Sequence, residues 1–117
     1  MLDQILNGLI TQVKGATAAI FVDGDGEAIA QAGDSTQDIK LLGAWKEIHL
    51  DRIKDITNRL GLGTVHAVLF SLETGNELIA PVGDEYCLIL FTSVYTDIRL
   101  AMQELPKTVD LLVKDIS

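Results

Sequence analysis

Two short runs, residues 16–22 (ATAAIFV) and 85–92 (EYCLILFT), limit the fold of this chain more than any other feature. Drawn as strands, the first puts Ala18, Ile20 and Val22 on one face and Ala19 and Phe21 on the other. The second sets Tyr86, Leu88 and Leu90 against Cys87, Ile89 and Phe91. Strands that are apolar on both faces belong in the middle of a sheet, with helices covering either side.

The remaining segments supply those helices and the other strands. Leu2, Ile5, Leu6, Leu9 and Val13 recur at helical spacing ahead of Gly15, which predicts a first helix over 2–14. Residues 27–32 follow the first strand as a short, more polar strand suited to a sheet edge. Ser35 with Asp38 resembles a capping box, and Leu60-Gly61 ends the periodic stretch, so a second helix is predicted over 36–60. Residues 64–72, 77–82 and 85–92 alternate with the turn signals Thr74-Gly75-Asn76 and Gly83-Asp84, giving three hairpin-linked strands. The stripe Ile98, Met102, Leu105, Val109, Leu112 and Ile116 keeps one phase through Pro106, so a single kinked helix is expected there. The order is α β β α β β β α.

Between the first two strands lies Asp23-Gly24-Asp25-Gly26-Glu27, which admits two chemistries. A calcium loop begun at Asp23 needs Gly at its sixth position, where this chain has Ala28. A tight hairpin turn needs residues that tolerate positive φ, and Asp-Gly pairs provide them. The hairpin is the better reading, and no metal ligand set is assigned.

At 117 residues the chain is long enough for one domain, taken as 1–117, with its own core. Nine basic against seventeen acidic residues give a net charge of −8, which disfavours nucleic acid and anionic membrane as partners. One cysteine excludes an internal disulfide and fits a reducing compartment. The N-terminus MLDQILNGLI has neither a signal-peptide pattern nor a membrane-spanning run, so a soluble cytoplasmic protein without membrane insertion is expected.

Catalytic and cofactor patterns are missing. There is no phosphate loop and no dinucleotide fingerprint. Gly61-Leu62-Gly63 follows a helix and so reads as a helix stop, since anions bind where helices open. His49 and His66 lie in different elements without metal-ligand spacing, and Cys87 sits in a central strand where a thiol is inert. No G-x-S-x-G elbow presents a nucleophile. Neither enzymatic activity nor a cofactor is expected.

Helix two carries the informative anomaly. Its apolar residues span roughly 200° of arc, about twice what packing on one sheet face requires. Ile39, Leu42, Ile53 and Leu60 are assigned to the sheet, and Leu41, Trp45 and Ile48 to something else. Glu47, Asp51, Lys54, Asp55 and Asn58 form the polar remainder. Strand three, with Val65-His66-Ala67-Val68-Leu69-Phe70, has no formal charge, proline or bulge to block pairing if it lies at an edge.

The stretches GATAAIFVDGDGEAIAQAG, LGLGTVHAVLF and ELIAPVGDEYCLILFT, in this element order, resemble the roadblock family, which includes dynein light chains and the bacterial mutual-gliding protein B. The resemblance covers nearly the whole chain. It implies a profilin-like α+β fold with a five-stranded antiparallel sheet in the order 2-1-5-4-3, helix two on one face and helices one and three on the other. It also implies dimers in which third strands pair and second helices pack together. Leu41, Trp45, Ile48, His49, Arg52, His66, Val68 and Phe70 are the expected dimer interface. Many members bind or regulate small Ras-like GTPases, and Glu47, Asp51, Lys54, Asp55 and Asn58 are the expected partner surface. The extensions of the longer gliding-type members have no counterpart in this sequence.

Two functions are in play. One is a non-enzymatic homodimeric module that binds and regulates a small Ras-like GTPase, or serves as a scaffold subunit. Arg52, Arg59 and Arg99 lie on predicted helices, so regulation through the partner's switch loops is expected over an arginine finger. The other is a small-molecule sensor domain with a pocket between helix and sheet, for which Ala18, Ala19, Ala28 and Ala30 in the first hairpin leave room.

Overall fold

The computed structural model describes residues 1–33 and 39–116, with side chains described for 1–33 and 49–116. Its elements are α1 (Leu2–Gln12), β1 (Ala16–Val22), β2 (Ala28–Gly33), α2 (Ile39–Arg59), β3 (Val68–Leu72), β4 (Gly75–Val82), β5 (Tyr86–Thr92) and α3 (Ile98–Ile116). The strands form one sheet in the order β2-β1-β5-β4-β3, and every neighbouring pair is antiparallel. The expected α+β architecture is realised.

The doubly apolar strands β1 and β5 are neighbours inside the sheet, as their composition demands. Ala19, Phe21, Leu88 and Leu90 face α1 and α3, where they pack with Leu6, Leu9, Leu105 and Leu112. Ile20, Val22, Cys87 and Ile89 face the other way, toward Leu50 of α2. Cys87 is fully buried, the core position expected of it.

The turn between β1 and β2 is a hairpin. The Asp23 N–H donates to the Glu27 carbonyl at 2.9 Å, and the Gly26 N–H to the Asp23 carbonyl at 3.0 Å. Asp23 Oδ1 accepts the N–H groups of Asp25 and Glu27 at 2.9 and 3.0 Å. Gly26 has φ 79°, a conformation that penalises any side chain. At the end of α2, Gly61 has φ 68°, and the Leu62 N–H closes on the Thr57 carbonyl at 2.9 Å, which confirms the helix stop.

Several boundaries differ from expectation. Helix α1 ends at Gln12 because Val13 is extended and buried, and the Ala16 N–H then closes a turn on the Val13 carbonyl at 3.0 Å. The β3–β4 turn is Glu73-Thr74, with Leu72 opposite Gly75, so β4 starts two residues before the expected Glu77. Strand β3 starts at Val68, not Thr64. Continuing its register would set His66 opposite Pro81, which has no N–H to give to a ladder, and residues 64–67 leave the sheet. The proposed Ser35–Asp38 capping box lies outside the described residues.

Helix α3 runs unbroken through Pro106 as expected. Its buried positions are Ala101, Leu105, Thr108 and Leu112, whereas Met102 is turned to the surface. Asp97 Oδ1 caps its start by accepting the Arg99 and Leu100 N–H groups at 3.0 and 3.4 Å. Among the described residues, no helix is long and apolar enough to cross a membrane.

Candidate interaction surface

The second half of α2 lies over the sheet through Leu50, which is buried, while Ile53 is half-buried. Other apolar residues of this region stay in solvent. Ile56 is 55% exposed, Leu60 66% and Leu62 69%. Leu60 was expected against the sheet; it lies one residue past the end of α2, where the chain turns at Gly61, and is exposed. The apolar arc is therefore wider than the sheet can cover.

Strand β3 meets α2 at His49 and Leu50, and pairs with β4 and with no other strand among the described residues. Val68 and Phe70 lie on its α2 face, half-buried, and the Phe70 ring sits 6.4 Å from that of His49. Leu69 and Leu72 are exposed. A sheet edge without charge, proline or bulge offers its free N–H and C=O groups to another strand.

The residues expected at a dimer interface separate into three groups. His49, Val68 and Phe70 come together at the α2–β3 seam, with Arg52 exposed nearby on α2. His66 does not belong to β3: it is exposed on the unpaired segment and borders a groove against α3. Leu41, Trp45 and Ile48 are on α2, but their side chains lie outside the described residues, as does that of Glu47. Of the expected partner surface, Asp51, Asp55 and Asn58 are exposed and Lys54 is half-buried. Asp55 pairs with Arg59 at 3.1 Å, one turn apart and in open solvent, a contact worth little.

A Roadblock/LC7 domain from Streptomyces avermitilis matches this arrangement with a TM-score of 0.88 at 19% identity, over 97% of this chain and 96% of its own. Myxococcus xanthus MglB matches with a TM-score of 0.89 at 17% identity, over 98% and 94%. The fold is that of the Roadblock/LC7 domain. Profilin II of Acanthamoeba castellanii shares the wider architecture, with a TM-score of 0.72 at 14% identity over the whole of both chains. No family model and no curated protein matches the sequence.

Two features of this Roadblock/LC7 fold are invisible in the linear sequence. Asp23 and Asp25 from one turn, Asp84 and Glu85 from another, and Asp51 from α2 surround one open cleft. The antiparallel pairing of Val22 with Cys87 brings the two turns to the same end of the sheet, so the cluster follows from topology. Among the described residues, no three His, Cys, Asp or Glu are grouped to hold a metal. The second feature is Glu77, a buried carboxylate on the α2 face of β4, flanked by Phe70 and Phe91.

Proposed function

We propose that residues 1–117 act as one non-enzymatic, cytoplasmic module that dimerises through β3 and α2 and presents the dimer to a small Ras-like GTPase. The observation that carries the reading is the exposure of Ile56, Leu60 and Leu62 together with the open edge of β3. Burying a large apolar side chain contributes about 1.5–3 kcal/mol, and association costs roughly 4–15 kcal/mol. The helix flank alone leaves a dimer marginal, and strand pairing across β3 provides the remainder. The GTPase as partner rests on the roadblock resemblance and on the shared fold of MglB.

Sedimentation equilibrium at micromolar concentration tests the assembly. A dimeric mass is expected for the parent chain and a monomeric mass for Leu69→Lys, which puts a charge on the exposed edge without disturbing the core. A parent chain that sediments as a monomer refutes the dimer. Copurification from the source cell then tests the partner: a Ras-like GTPase is expected with the parent and is expected to be lost with Leu69→Lys.

A further inference from the structure

The face of the sheet opposite α2 holds a groove of about 480 Å³ between α3 and residues 64–67. Its existence follows from two prolines. Pro81 stops the β3–β4 ladder, so residues 64–67 stand away from β4, and the small side chains Ala67 and Ala80 leave the gap unfilled. Pro106 forms part of the opposite wall with Met102, Leu105 and Val109. The volume lies within the range of roughly 300–1,000 Å³ typical of small-molecule sites, which are mostly apolar with a few convergent polar groups.

The one formally charged side chain of the lining is acidic. Pro106 carries no N–H, so the Met102 carbonyl loses the donor it would have four residues along the helix. Asp110 lines the groove and is the one acidic or basic residue there besides His66. The Asp110 carboxylate and the Met102 carbonyl beside an apolar floor favour a ligand with an apolar body and a cationic, N–H-donating head, and the net charge of −8 attracts such a ligand.

We infer that the groove between α3 and residues 64–67 is a binding site for small amphiphilic amines, with the apolar body over Ala67, Ala80 and Leu105 and the ammonium toward Asp110. The site is on the other side of the sheet from α2.

Dansylcadaverine, a naphthalene body on a chain ending in a primary amine, is the probe, and the same dansyl body ending in a carboxylate is its control. Fluorescence titration of the full chain is expected to show the amine binding about tenfold more tightly, the scale of one partly screened charge contact. Asp110→Asn, an isosteric change at an exposed position, should bring the two probes within about twofold. Met102→Trp should fill the groove and remove binding of both, while Leu69→Lys should leave binding intact. Amide shifts in two-dimensional NMR are expected at residues 64–67, 80–83 and 102–110. Equal affinities for the two probes would overturn the inference, as would a preference that survives Asp110→Asn or shifts centred elsewhere. In the monomeric Leu69→Lys variant, shifts in the same residues that grow with protein concentration without probe would seat a second copy there and overturn it too.

Discussion

On the α1 and α3 face of the sheet, Leu6, Leu9, Leu105 and Leu112 interlock with Phe21, Leu78, Leu88 and Leu90, all of them buried. On the α2 face, Leu50 alone is buried among the described side chains of the helix, and Ile56 and Leu60 remain in water. Two helices cross the first face and one crosses the second, over central strands that are apolar on both faces. Over the central strands the first face is finished by the chain itself, whereas among the described residues of the α2 region Ile56 and Leu60 stay in water. Exposed large apolar side chains and an open strand edge are the features that association surfaces use.

The sharpest test of this contrast is a large-to-small change on the finished face. Leu105→Ala should cost about 2–5 kcal/mol of unfolding free energy in urea denaturation, because it removes a buried leucine from the core and leaves a void. A loss under about 1 kcal/mol would show that this face is loosely packed and would erase the comparison. Gly26→Val acts away from either face, at the β1–β2 turn, and should cost about 1–3 kcal/mol by forcing a β-branched residue to positive φ.

On the open face the outcome should divide by observable. Leu60→Ser should change unfolding of the monomeric Leu69→Lys background by less than about 0.5 kcal/mol, the range for an exposed position. In the parent chain the same change should weaken dimerisation measured by sedimentation. If it destabilises the monomer as Leu105→Ala does, the face is closed by the chain after all. The smallest effect is expected for Asp25→Asn: under about 0.5 kcal/mol, since the turn uses the Asp25 N–H and not its carboxylate. Calcium at millimolar concentration should leave the melting temperatures of parent and variant in the same relation. A calcium-dependent gap between them would reassign the turn as a cation loop.

Much of the fold is legible because its signals are local. Periodicity separates helix from strand, Asp23-Gly24-Asp25-Gly26 specifies a hairpin, and the two-sided apolar runs at β1 and β5 name the centre of the sheet. The misplaced start of β3 shows where local reading stops. Residues 64–67 are as strand-like as Val68–Leu72, and what excludes them is Pro81, fourteen or more positions away in sequence and opposite only once the register is set. Leu60 and Met102 fit their apolar stripes equally well, yet whether a stripe position meets a neighbour depends on how far that neighbour extends.

The sequence by itself determined the element order, the central strands, the hairpin at Asp23 and the excess apolar width of α2, since each depends on residues close together along the chain. The tertiary structure decided which part of that width stays exposed, which strand edge stays open, and that Ala67, Ala80, Pro106 and Asp110 border one groove. Those facts depend on sheet register and helix crossing, which are set by many weak contacts between distant residues and leave no single local trace.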